Sequence, residues 1–177
     1  GNSHEHLAFR GVVSLSCETI AAIVRDVLRC MKRHGVKKLV ILNSHGGNSA
    51  LLEAWAQEWE DECGGAVYTV SLWSPGFFQG AELGVETPLS LEIHAGEMET
   101  SILEYGMPEM VRQDKISPRW DNPVALVDYY AGWSSAALSP DNGVLGMPSR
   151  AGADKGRAIV KYMGDRICAY LVDIQSR

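Results

Sequence analysis

The stretch from Val36 to Leu72 constrains the fold of this chain more than any other. Val36-Lys37-Lys38-Leu39-Val40-Ile41-Leu42 ends in an apolar run without alternation, the pattern of a strand covered on both faces. A polar Gly-Gly loop follows, from Asn43 to Asn48. Leu51, Leu52, Trp55 and Trp59 then recur at helical spacing, which predicts a helix from about Ser49 to Cys63, ended by Gly64-Gly65. Ala66 to Leu72 reads as a second strand. Upstream, Ser16 is a helix cap, and Ile20, Ile23, Val24, Val27, Leu28 and Met31 carry the helical period to Lys32, Arg33 and His34, with Gly35 at its end. Helix, strand, loop, helix, strand is the rhythm of a doubly wound parallel sheet, so the fold class is α/β. In such sheets function gathers in the loops at the carboxyl ends of strands. His45 falls in the first of those loops and Trp73 in the second.

Beyond that unit, Ser74 to Leu91 reads as an irregular excursion. His94 to about Tyr105 reads as a helix stopped by Gly106 and Pro108. Arg112 to Gly146 shows little regular pattern. A last helix runs from about Ala151 to Ile174 on the stripe Ile159, Val160, Met163, Ile167, Leu171 and Ile174. That helix and the aromatic-rich stretch from Trp120 to Trp133 are expected at subunit contacts for their apolar content. Ordinary packing within one subunit reads equally well.

At 177 residues the chain is long enough for one domain with a substantial core. Its net charge of −6 and the lack of any basic run make nucleic acid and anionic membranes poor partners. No apolar run has the length of a membrane span, and no signal peptide is visible. The four cysteines contain no CxxC pair and are expected to be reduced thiols of a cytoplasmic protein.

Two segments carry chemistry. Ile93-His94-Ala95-Gly96-Glu97-Met98-Glu99-Thr100-Ser101 gathers one histidine and two carboxylates with no lysine or arginine beside them. Imidazole and unpaired carboxylate together suit a divalent cation. If the helix begins at His94, then His94 and Glu97 share a face and Glu99 points elsewhere. The same acids read equally as first-turn residues suited to a helix dipole. Asn43-Ser44-His45-Gly46-Gly47-Asn48 places a histidine after a buried strand, with two glycines that permit close approach and two asparagines able to pin the turn. Taken alone, that loop reads more readily as a tight strand-to-helix turn. No GxGxxG, Walker or GxSxG pattern is present, which weakens phosphate-loop and serine-nucleophile readings. Taken together, His45, His94, Glu97 and Glu99 favour metal-assisted hydrolysis, in which a cation lowers the pKa of bound water towards ~7 and polarises a carbonyl. Ser3-His4-Glu5-His6 is a second cluster able to bind metal or substrate, or simply an N-terminal loop.

These segments, in this order and spacing, resemble the creatininase (creatinine amidohydrolase) family. The resemblance also takes in Glu5-His6-Leu7-Ala8-Phe9-Arg10-Gly11-Val12-Val13-Ser14-Leu15 and Gly143-Val144-Leu145-Gly146. It implies a three-layer α/β/α domain with a mostly parallel sheet, built as a homohexamer. It implies a dinuclear metal centre, usually zinc and in some members manganese or iron, whose bound hydroxide cleaves a C–N amide-type bond in a small polar or cyclic molecule. By the same resemblance His45 and Glu99 are metal ligands, His94 protonates the leaving nitrogen, and Glu97 supports it or touches substrate. Glu5, His6 and Trp73 line the pocket. The family's further ligands, a Glu-x-His pair and an aspartate, precede the region where this sequence begins, so residues 1–177 are expected to lack an N-terminal portion of the domain. Ser44, Arg10, Val12 and Gly47 depart from the creatininase pattern and point to a substrate other than creatinine. The runner-up readings are a C–C hydrolase acting on a cyclic ketone and a non-catalytic hexameric member of the family.

Overall fold

The computed structural model describes residues 1–74, 76–78, 83–124, 134–139 and 141–177. Helix α1 spans Cys17–Arg33. The Ser16 side chain accepts from the backbone N–H of Thr19, an interaction worth about 1 kcal/mol to a helix start. Strand β1 spans Lys38–Asn43, helix α2 Ser49–Cys63 and strand β2 Ala66–Ser71. Gly64 ends α2 in the left-handed conformation at φ 64°, where a side chain would be strained. The strands pair in parallel, in a register running from Lys38 opposite Ala66 to Asn43 opposite Ser71. Both therefore end at the same edge, and the loops carrying His45 and Trp73 leave the sheet side by side.

Two cores lie on opposite faces of this sheet. Leu39 and Ile41 of β1 and Val67 of β2 pack with Ala21, Leu28, Leu51, Leu52 and Trp59 of α1 and α2. Val70 and Leu72 pack with Phe77, Phe78 and Met98 and with Ile159 and Met163 of the last helix. Layers of helix, sheet and helix result, as the three-layer expectation requires. β1 departs from the expectation of burial on both faces, since Leu42 remains 45% exposed. The second helical layer sits over β2, so the Leu42 face of β1 is left partly open.

Helix α3 spans Glu97–Gly106, a short helix α4 spans Ser135–Leu138, and α5 spans Ala153–Ser176. α3 and α5 pack closely because Gly156 has no side chain: a Cβ there would stand 1.9 Å from the Ser101 carbonyl oxygen. α3 starts three residues later than its sequence predicts. His94 is bridged to Leu145 in an antiparallel pair, Ala95 takes a left-handed φ of 52°, and Gly96 caps the helix. Pairing across to another segment thus overrides helical spacing at His94. Single turns of tighter 3-10 helix break up 108–120, as expected for a stretch without pattern. Tyr129, Tyr130 and Trp133 lie outside the described residues. No helix of the described residues is long and apolar enough to cross a membrane.

Candidate metal centre

The Gly-Gly loop is held from below. Asn43, nearly buried, accepts from the His45 backbone N–H at 3.2 Å and from the Asn48 amide, and its own amide donates to Ser49 Oγ. The Trp73 indole N–H donates to the Ser44 carbonyl at 2.9 Å, so the second loop braces the first. Both asparagines pin the turn, as their position suggested. Above the loop lies the segment 1–6. Asn2 N–H donates to Asn48, and His45 Nε2 lies 2.5 Å from the Asn2 carbonyl and 3.1 Å from Ser3 Oγ. Because a carbonyl only accepts, this places a proton on Nε2. Gly47 makes the approach possible. A Cβ there would stand 2.2 Å from the Asn2 oxygen, 2.8 Å from His45 Nε2 and 3.1 Å from a Glu5 oxygen.

Glu5 sits between two imidazoles, 3.4 Å from His6 Nε2 and 3.7 Å from His45 Nε2. On its other side His6 faces His94, with ring centroids 4.2 Å apart and planes tilted by 30°. The His6 pKa lies below its usual value. Burial is the largest cause, and the neighbouring His94 and His45 add to it, while Glu5 and Glu99 pull the other way. His6 therefore contacts Glu5 and His94 directly and feels the charges of His45 and Glu99. His6 and His94 form part of the wall of a cleft of about 350 Å³, together with Ser3, Phe9, Val12, Asn142 and Gly143.

Glu99 is oriented by the turn before α3, where its carboxylate accepts from the Ala95 N–H at 2.5 Å. Glu97 is placed elsewhere. Fully buried, it accepts from the Glu86 and Thr87 backbone N–H groups, from the Thr87 hydroxyl at 2.7 Å, and from the Lys155 ammonium at 2.6 Å. Burial pushes its carboxyl upward, but Lys155 and these donors outweigh that and hold it below the usual range. Its described contacts include none of the imidazoles. The later start of α3 accompanies this: it is the Glu99 charge, and not that of Glu97, that acts on the His6 ring. Trp73 braces the His45 loop and packs on Phe78, 6.0 Å between centroids.

Sequence reasoning passed over Glu92 and Lys155. Glu92 accepts from the first backbone N–H groups of α3, those of Glu97 and Met98, each at 3.0 Å. Its signal was an acid five residues before the helix start, in the gap between the irregular excursion ending at Leu91 and the His94 segment. Lys155 gave no local signal, because its partners Glu86 and Glu97 come from distant parts of the chain.

The donors fit a divalent cation in kind: imidazoles of His45 and His94 with the carboxylates of Glu99 and Glu5, all acting on the half-buried His6 ring. Among the described residues, however, no three His, Cys, Asp or Glu side chains stand close enough together to close a shell. His45 Nε2 is turned to the Asn2 carbonyl, and Glu99 to the Ala95 amide.

Residues 1–171 match the creatininase family, described as creatinine amidohydrolase. A mycofactocin precursor peptide peptidase of Mycobacterium ulcerans (strain Agy99) is 32% identical over 166 residues, covering 93% of this chain and 60% of that protein. A creatinine amidohydrolase of Pseudomonas putida is 30% identical over 171 residues, 86% of this chain and 62% of that one. Among solved structures, the manganese form of creatininase superposes with a TM-score of 0.73 at 26% identity, over 93% of this chain and 67% of the other. A Zn–Zn form of a creatininase point mutant has the same fold, with a TM-score of 0.75 at 24% identity over the same shares. The chain spans about three fifths of the length of the curated relatives it matches. The family match over residues 1–171 and the shared fold agree that this chain belongs to the creatininase family.

Proposed function

We propose that the protein is a metal-dependent hydrolase that cleaves a C–N amide-type bond in a small polar or cyclic molecule or at a peptide terminus. One observation carries this reading. Glu5 lies 3.4 Å from the His6 ring and 3.7 Å from the His45 ring, His94 faces His6 at 4.2 Å, the Glu99 charge acts on the same imidazole, and His6 and His94 form part of the wall of a cleft. The relatives lend the reaction type, since a peptidase and a creatinine amidohydrolase both hydrolyse C–N bonds.

His45 and Glu99 would hold a divalent cation, zinc first and manganese or iron as alternatives, in a dinuclear centre. Such a group supplies Lewis acidity and an activated water at neutral pH. Everything else falls to this chain's side chains. Glu5 fixes the angle between the His6 and His45 rings. Trp73 holds the Ser44 carbonyl and with it the His45 backbone. His94 stands in the cleft wall, where its imidazole can pass a proton to a leaving nitrogen. Phe9 and Val12 give the cleft an apolar side that excludes water from that transfer. Glu97, ion-paired and buried, supports α3 from behind. Self-association into a hexamer belongs to the same reading. The exposed apolar residues of α5, including Val172 at 67%, offer a surface for it, and light scattering that returned a monomer would count against it.

The test compares the parent protein with Glu99→Gln for bound metal and for turnover of creatinine and of a short peptide amide. Loss of metal and of turnover together supports the reading. Metal content and turnover unchanged in the variant remove Glu99 from the site.

A further inference from the structure

Glu92 is a half-buried carboxylate that touches none of the residues assigned to the reaction, yet it holds the backbone on both sides of them. Its two oxygens take the N–H groups of Glu97 and Met98, the first exposed donors of α3, at 3.0 Å each. A third donor comes from far along the chain: the Met147 N–H reaches it at 3.4 Å. Two glycines make room for the carboxylate. A Cβ on Gly96 would stand 2.4 Å and 2.6 Å from its oxygens, and one on Gly146 would stand 3.0 Å from it and 2.6 Å from the Gly96 Cα. The carboxylate therefore fills a cradle in which neither neighbour can carry a side chain.

Both segments it joins end in the site. The turn 94–96 carries His94, and its Ala95 N–H orients Glu99. The segment 143–147 pairs with His94 through Leu145, at 2.8 Å and 3.0 Å, and Gly143 lines the cleft. Ala95 sits at φ 52°, a conformation strained for a non-glycine residue, which persists only when its surroundings enforce it. Glu92 enforces it from the Gly96 side and Glu99 from the Ala95 side.

We propose that Glu92 is a positioning residue: by tying the first turn of α3 to the 143–147 segment, it sets where the Glu99 carboxylate and the His94 imidazole stand. The proposal rests on the reading of Glu99 and His94 as site residues, and its test separates the two. Glu92→Gln keeps the shape but sets an amide NH2 against a backbone donor. Glu92→Asp keeps the charge and shortens the reach, and serves if the first variant does not fold. Amide hydrogen exchange on the metal-free protein is the first readout. Exchange at Ala95 and Leu145 should rise about tenfold or more while the β1–β2 amides stay as they were. Zinc affinity, measured against a chromophoric chelator, is the second. It should fall about ten- to a hundredfold, and in a Glu99→Gln background the same change should have little further effect.

Unchanged exchange at Ala95 in a folded variant overturns the proposal. So does a selective rise in exchange with zinc affinity left intact, which would make Glu92 a helix cap and nothing more. Parent protein that binds no zinc would defeat the metal reading, while the exchange experiment would still decide whether Glu92 positions the turn.

Discussion

The His6 and His94 imidazoles stand face to face, 4.2 Å between centroids, within one cluster that also holds Glu5, His45 and Glu99. Two cations cannot share that space cheaply, so protonating one ring opposes protonating the other. His6, more buried than its neighbours allow a cation to be, stays neutral to lower pH than an ordinary histidine.

In metal-free His94→Ala, the His6 ring should titrate at higher pH than in the parent, because the cavity admits water and a neighbouring cation is gone. NMR of the ring protons reads this directly. The sign for stability follows. The folded value lies below 6.5, so the unfolded chain takes up the proton first as pH falls. The contribution of His6 is complete above about 6.5 and is lost between there and its folded value. A His6 pKa that falls in the variant would contradict the arrangement.

Glu97 and Lys155 form an ion pair at 2.6 Å with the carboxylate fully buried. Glu97→Ala leaves the ammonium with the exposed Glu86 and the Arg150 carbonyl, and should cost on the order of 3 kcal/mol in urea unfolding at neutral pH. The Glu97 carboxyl is held below 4.5 in the folded state, so this contribution is complete above about 4.5 and disappears as pH falls through the folded value. The gap between parent and variant should close at the acid end. A gap independent of pH would deny the pair its charge.

Gly47→Ala puts a Cβ 2.2 Å from the Asn2 oxygen and 2.8 Å from His45 Nε2. The segment 1–6 must then lift from the loop, costing about 1–3 kcal/mol as an overpacked contact. Calorimetry should show the lower stability, and the His45 ring resonances should shift. An unperturbed His45 would show that the segment does not rest there.

Gly156→Ala meets backbone, not a flexible side chain, 1.9 Å from the Ser101 oxygen. α3 and α5 must move apart, and the Ser101 hydroxyl, which bonds the Glu97 carbonyl at 2.6 Å and receives the Gly152 N–H, moves with them. The variant should lose about 2 kcal/mol or more by thermal unfolding, and wild-type stability would contradict the packing.

What could be read in the sequence follows from range. Ser16 and Gly35 bracket α1, and Gly64 ends α2, because caps and left-handed glycines act within a turn of where they sit. The Asn43–Asn48 loop was legible for the same reason. His94 was misplaced at the head of α3 because its partner, Leu145, lies fifty residues away and leaves no local trace. Helical spacing from His94 puts Glu97 on one face with it, beside the supporting or substrate-touching role that the resemblance implies. Once α3 starts at Glu97, its carboxylate turns back to Glu86, Thr87 and Lys155, and it is the Glu99 charge that acts on the His6 ring. The expectation that His45 and Glu99 share a cation came from the likeness to creatininases and not from spacing, since segments far apart in the chain meet only in three dimensions.

The central claim is that His45 and Glu99 serve the same cation. Anomalous diffraction at the zinc edge, on crystals of the protein grown with zinc, tests it most directly. The account predicts a peak about 2.0–2.2 Å from both the His45 imidazole and the Glu99 carboxylate. A zinc peak bound to other residues, with those two side chains still turned to Asn2 and Ala95, would contradict it.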